Sequence, residues 1–389
     1  MSDVPAAETI GRDSPRFGYN AALDGLRALA VAGVVLGHAG VRGVAGYHGV
    51  TLFFVISGYL ITSLLIAERE RTGRIRFGRF YLRRLARLGP AMVLVVVVSV
   101  IWLLAIRYPV QEYWLGVTGT MTYTMDLIQV WFGNDAVSSY FQWSWSLSIE
   151  EQFYLVWPLL LLLLINRASL KVTLVIMSGS VVLVWIGRVL QHAGNPTHEA
   201  EFYGPLSHAD ALILGALLAI LLMVAGNSTW PRRIAQILGP IGLLGLVVVF
   251  AFPRGLPIVR YADPSGFGQT ALFSLFVIMW IAVMPKGWLG RALSIRPLVF
   301  VGKLSYGIYL WNLLLAYVFV YFVGVKPAGS WLGLLYPFVL LAVCYLSYRF
   351  VEDPLRKRWA PRQDHAVMVD HAAGHADMFP GRRARRLTL

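Results

Sequence analysis

Eleven stretches of this chain are apolar over roughly 17–24 residues each, close to the ~20 residues a helix needs to cross a hydrocarbon core. They lie near 21–40, 49–67, 90–106, 112–132, 145–165, 171–190, 206–225, 234–252, 268–284, 300–323 and 332–351. Backbone N–H and C=O groups at that depth must be satisfied within the segment, which a helix does. The expected fold class is therefore all-α, a polytopic membrane helix bundle. Composition agrees: 57% of the 389 residues are hydrophobic and 14% are charged, against about 25% charged in soluble domains.

The fourth stretch, EYWLGVTGTMTYTMDLIQVWF, is the weakest, because Glu112, Asp126 and Gln129 interrupt it. Lys and Arg in short loops collect on the cytoplasmic side, so they decide whether it crosses. With the N-terminus inside and no crossing there, 25 of the 34 basic residues fall inside and 5 outside, while Arg27, Arg188, Lys303 and Arg349 sit within helices. With a crossing, every later loop flips and the internal count drops to 13. The expectation is about ten transmembrane helices, both termini cytoplasmic, and a re-entrant or interfacial segment near 112–132. A cytoplasmic tail at 1–19, a transmembrane domain at 20–359 and a basic, disordered cytoplasmic tail at 360–389 complete the division. The polar start has no apolar core of a cleaved signal peptide.

The net charge of +14 is thereby a topological feature, attractive to anionic membrane lipids at about 1 kcal/mol per residue near the leaflet. A nucleic-acid partner is not expected, since that needs a basic soluble surface. The single cysteine, Cys344, lies in an apolar run and excludes a disulfide framework or a cysteine metal cluster. His371 and His375 are spaced i, i+4 in the tail and read as solvated. No metal site is expected.

Ionisable groups at membrane depth cost about 2.5–3.5 kcal/mol even on the lenient insertion scale, so each is a functional candidate. The first stretch, LDGLRALAVAGVVLGHAG, carries Asp24, Arg27 and His38. Eleven residues at about 100° each return close to one face, so Arg27 and His38 share it, about 16.5 Å apart along the axis. Arg27 has two readings, an anchoring pair with Asp24 or a functional cation. Ser57-Gly58, mid-depth in the second stretch, reads first as close helix packing. Eight arginines lie between Arg69 and Arg87, more than orientation requires, and the planar fork of Arg84 and Arg87 suits phosphate. In WSWSLSIEEQFYLVWP, Glu150 and Glu151 are adjacent and diverge by about 100°. Only one points directly into a shared cavity, and Tyr154, one turn after Glu150 on its face, favours Glu150. Asp210, beside His208, opens a helix on the outer side. Ser305, Tyr309 and Asn312 form a stripe near Lys303 and Tyr306. His38, Glu150 and Asp210 fall near the outer face, and Arg27, Arg84, Arg87 and Lys303 near the inner. A polar passage joining the two sides is the economical picture.

These motifs together resemble the membrane-bound acyltransferase-3 family, bacterial O-acyltransferases of surface polysaccharides and small molecules. The resemblance covers residues 19–360 and rests on LDGLRALAVAGVVLGH, GVTLFFVISGYLIT, FYLRRLARLGPA, WSLSIEEQFYLVWP, LSYGIYLWN and YRFVEDPLRKR, in that order. It implies that His38 and Glu150 are catalytic, and that Arg27, Arg84 and Arg87 bind acyl-CoA. Ser57, Tyr154, Asp210, Tyr309 and Asn312 are cavity or acceptor candidates. Thr51 stands where the family often has an acid, and Asn312 where it often has a histidine; both departures bear on acceptor choice. Some members carry a C-terminal esterase-like domain outside the membrane, which is not expected here.

The implied reaction uses acyl-CoA, acetyl-CoA first, as co-substrate and no permanent cofactor. CoA phosphates would sit on Arg84, Arg87 and Arg27, and the pantetheine arm would run along the first helix to His38. An imidazole of unperturbed pKa about 6.5 takes the proton of an acceptor hydroxyl on a carbohydrate or small molecule. Glu150, if within reach, would orient the ring. The expected location is the bacterial cytoplasmic membrane. The rival reading is a transporter or flippase of a glycan or acylated small molecule, but no pair of related halves with broken helices is apparent.

Overall fold

The computed structural model describes residues 19–194, 197–251 and 266–359. The tails at 1–18 and 360–389, with His371 and His375, lie outside the described residues, as do Arg254 and Arg260. Among the described residues there is no strand, and nine helices are long and apolar enough to cross a membrane. They belong to α1 (Ala21–His38), α2 (Gly46–Thr72), α3 (Phe77–Ala105), α6 (Trp145–Arg167), α7 (Leu170–Ala193), α9 (Leu206–Ala225), α10 (Trp230–Ala251), α13 (Arg296–Val323) and α14 (Tyr336–Ser347). A tenth apolar helix, α11 (Phe267–Val283), has 17 residues, the lower end of the spanning range. Short helices α4 (Val110–Thr122), α5 (Met125–Phe132), α8 (His198–Tyr203), α12 (Trp288–Leu293) and α15 (Asp353–Trp359) fill the connections, and a π-helical turn at Tyr348–Glu352 joins α14 to α15.

The fourth apolar stretch does not cross. It is a hairpin of two helices, of 13 and 8 residues, that turns at Tyr123. Helix directions establish the parity independently. Arg84 pairs with Glu151 while Tyr81 bonds the Leu155 carbonyl, so α3 and α6 are antiparallel. Ser57 meets Glu150 while Thr62 accepts from Trp157, so α2 and α6 are parallel. The chain between α3 and α6 therefore starts and ends at one side of the bundle. The hairpin tip reaches inward: Gln152 Nε2 bonds the Tyr123 carbonyl and Asp126 Oδ1, each at 3.0 Å, seven residues or about 10 Å below the start of α6. That geometry is re-entrant.

One boundary differs from the sequence reading. The apolar stretches end at 67 and resume at 90, but α2 runs to Thr72 and α3 begins at Phe77. Both helices continue past their apolar cores, because arginine-rich segments are good helix formers once a nucleus exists. Arg84 and Arg87 are thus fixed on a helix.

Glycines let the central helices touch. A Cβ on Gly58 would collide with the Leu212 carbonyl, and one on Gly215 with the Val55 carbonyl, where α2 crosses α9. Likewise Gly302 admits the Asp24 carbonyl, joining α13 to α1. Lipid offers helices no hydrophobic drive to associate, so close backbone approach supplies the attraction. Gly58→Leu is expected to lower the thermal midpoint of the detergent-solubilised protein by many degrees. Gly179→Leu, where nothing lies within 4 Å of an added Cβ, is expected to leave it unchanged; differential scanning fluorimetry reads both.

Candidate active site

The site begins where α1 ends. His38 Nδ1 makes a short hydrogen bond to Asn312 Oδ1 on α13. The amide nitrogen of Asn312 donates to the carbonyls of Ile308 (3.0 Å) and Tyr309 (2.6 Å). Turning the amide over would set its oxygen against two carbonyls, so Oδ1 faces the imidazole and Nδ1 carries the proton. Nε2 is left with its lone pair. Tyr336 on α14 donates to the Asn312 carbonyl at 2.6 Å, and Ala328 N bonds the Ala39 carbonyl at 2.9 Å, which fixes the end of α1.

Below His38 the polar groups run down the bundle. Tyr309 bonds Ser146 and donates to the Trp143 carbonyl at 2.8 Å. Glu150 Oε1 accepts from both Ser57 and Tyr154. The Arg84 guanidinium lies over the Tyr154 ring, 3.0 Å from its centroid, and its Nε reaches Glu151 at 3.0 Å. Tyr306 on α13 donates to the Leu88 carbonyl at 2.9 Å.

At the far end, Arg87 is within electrostatic reach of Arg27, Arg84 and Arg356, and of the acids Asp24 and Glu352. Arg27 and Asp24 stand 3.9 Å apart, and Arg356 is held by Asp353 at 2.6 Å. Four arginines from three helices thus gather there, and the planar guanidinium fork is of the kind that suits phosphate groups.

The structure thus brings His38, Asn312, Tyr309, Ser57, Glu150, Tyr154, Arg84, Arg87 and Arg27 into one column, with two differences from the sequence reading. The partner of the His38 Nδ1 is Asn312, whereas Glu150 spends Oε1 on Ser57 and Tyr154. Asp210 stands apart: Arg188 at 2.9 Å and Trp185 at 2.8 Å take its two oxygens, in a buried link between α7 and α9. Ser57 does more than pack, since its neighbour Gly58 makes the close contact. Sequence reasoning missed Ser146, Gln152 and Arg356. Gln152 follows the paired glutamates, so the 100° step that separates Glu150 from Glu151 also aims Gln152 at a third neighbour. Arg356 was visible in YRFVEDPLRKR but counted only toward topology. Among the described residues, no group of three His, Cys, Asp or Glu is placed to hold a metal.

The acyltransferase-3 family, described as an acyltransferase domain, matches residues 20–349, and the chain belongs to it. O-acetyltransferase OatA of Staphylococcus aureus, from strain NCTC 8325 and from strain COL, is 33% identical over 373 residues, covering 89% of this chain and 58% of the relative. A further S. aureus protein, SAS0844 of strain MSSA476, is 32% identical over 354 residues, with 87% and 58% covered. The chain spans 58% of the length of these relatives. No solved structure matches.

Asn312→Leu removes the acceptor that sets the His38 tautomer. It is expected to lower kcat about 10- to 100-fold, a good part of what a positioned base contributes, with little change in donor KM. Steady-state kinetics on purified protein checks this.

Proposed function

We propose that the protein transfers an acyl group, acetyl first, from acyl-CoA on the cytoplasmic side to a hydroxyl of an envelope glycan or lipid-linked sugar on the other. The observation that carries this reading is the continuous polar column between the arginine cluster and His38. Its ends suit the two halves of the problem: a cationic site for CoA phosphates and a histidine with one nitrogen committed and the other available. The family and the names of the S. aureus relatives support O-acetylation. The basic residues, gathered on the side of Arg27 and Arg87, support cytoplasmic termini and residence in the bacterial cytoplasmic membrane.

In this mechanism Arg27, Arg87 and Arg356 hold the phosphates and Arg84 the upper part of the donor. The thioester lies beside His38. Nε2 takes the acceptor hydroxyl proton as the oxygen attacks the thioester carbonyl. The tetrahedral adduct collapses, the C–S bond breaks, and the imidazolium returns the proton to the CoA thiolate. Asn312 keeps Nδ1 protonated throughout. Glu150, with Ser57 and Tyr154, fixes the ring on which Arg84 lies.

Proteoliposomes given radiolabelled acetyl-CoA and envelope glycans are expected to move label into the glycan, and mass spectrometry of the product identifies the acetylated hydroxyl. His38→Ala is expected to insert normally and lose transfer by at least about 100-fold; a variant that still acylates would remove His38 from its role. Arg87→Ala is expected to raise donor KM about tenfold, the worth of one charge-assisted contact, in a titration with acetyl-CoA.

A further inference from the structure

Helix α6 places three polar side chains in succession, and the first two belong to the column. The third, Gln152, turns to the re-entrant hairpin, where its amide bonds the Tyr123 carbonyl and Asp126 Oδ1. Met125 N also bonds Ser148 Oγ on α6 at 3.2 Å. Asp126 is fully buried, its Oδ2 has no hydrogen-bond partner, and neither has Oε1 of Gln129 one turn later. A buried acceptor without a partner calls for an explanation, and a carboxyl at membrane depth is costly to keep.

Tyr123 itself is held in the left-handed region, at φ +55 and ψ +42. A bulky aromatic seldom adopts that conformation unless its surroundings impose it, and such residues gather at ligand-binding sites. This conformation brings Tyr123 to a cavity of about 380 Å³ that it shares with Arg84, Glu151, Tyr81 and Leu88. Arg84 spends Nε on Glu151 and has terminal N–H groups to offer. The cavity thus presents N–H donors, a carboxylate acceptor and a phenol that serves either way, between apolar walls. An arm built of amides spaced by short alkyl segments matches that alternation.

We propose that the hairpin tip seats the pantetheine arm of the donor, with Tyr123 as a contact residue and Asp126 and Gln152 as positioning residues that hold it. The proposal rests on the acyl-CoA reading above.

The test compares wild type, Gln152→Glu, and the double variant Gln152→Glu with Asp126→Asn in proteoliposomes, with thiol release as the readout. The donors are acetyl-CoA, acetyl-pantetheine and S-acetyl-N-acetylcysteamine, the last keeping the thioester and little of the arm. Glutamate at 152 cannot donate to the Tyr123 carbonyl or to Asp126, so the tip is released. The ratio of kcat/KM for acetyl-pantetheine to that for S-acetyl-N-acetylcysteamine is expected to fall about tenfold, the worth of one hydrogen-bonded contact, mainly through KM. The Asp126→Asn change supplies an amide donor facing the new carboxylate, and is expected to recover part of the ratio. An unchanged ratio, with both donors weakened alike, overturns the proposal. No transfer from acetyl-CoA by wild type overturns instead the donor reading on which it rests. Should Gln152→Glu not fold, Tyr123→Cys in an otherwise unchanged chain decides the matter. Cys344 is the single native cysteine and is fully buried, so a maleimide reports position 123 alone. Desulfo-CoA is expected to slow that labelling at least threefold, and labelling indifferent to desulfo-CoA overturns the proposal.

Discussion

At membrane depth no water is available to complete a hydrogen bond, and this constraint governs the interior of the bundle. A polar side chain there finds a partner in the protein or costs several kcal/mol. His38, Glu150 and Arg84 in the column each meet it by pairing with a neighbour on another helix. Asn312 serves His38, Ser57 and Tyr154 serve Glu150, and Glu151 serves Arg84. These pairs also tie α1 to α13, α2 to α6 and α3 to α6, so the groups assigned to chemistry are among those that hold the helices in register. Asp126 Oδ2 and Gln129 Oε1 on the hairpin are among the buried polar atoms without such a partner, as is Ser305 Oγ on α13.

A glycine contact makes such pairing possible between α1 and α13, and others pack α2 on α9. Side chains as short as serine and asparagine bridge two helices only when the backbones nearly touch. Gly58 and Gly215 bring α2 against α9, and Gly302 brings α13 against the Asp24 carbonyl on α1. That second contact sets α1 and α13 parallel from Asp24 and Gly302 up to His38 and Asn312. The two parallel helices thus carry a cation, Arg27, toward one end and His38 with Asn312 toward the other.

Much of this was legible in the sequence. Apolar runs of fixed length locate the helices, because hydrocarbon thickness sets helix length. The arginine distribution gave the parity of the 112–132 segment, and the pairs between α3, α2 and α6 bear it out. The common face of Arg27 and His38 follows from helical periodicity alone. What stayed hidden depends on which helices become neighbours. Nothing in LSYGIYLWN marks Asn312 as the partner of a residue 274 positions away. Gln152 was overlooked because its role exists only once the hairpin folds back onto α6. Asp210 misled the reading because a buried acid looks alike from sequence whether it faces a cavity or, as here, Arg188.

The choice of Asn312 beside His38 bears on the kind of chemistry the site favours. A carboxylate in that place orients a ring and also stabilises imidazolium, so the ring keeps the proton it has taken. An amide orients the ring equally well and carries no net charge. In a medium of low dielectric that difference is large. On the proposed function, a histidine held this way would accept the acceptor's proton as the new bond forms and pass it to the departing thiolate. An acyl-histidine would place a positively charged, acylated ring in the same pocket with no acid shown paired to it, since the Oε1 of Glu150 is already taken by Ser57 and Tyr154. On the proposed function, the partner of His38 favours direct transfer, in which the ring is charged only until the thiolate leaves, over a covalent intermediate that keeps a charged ring in place.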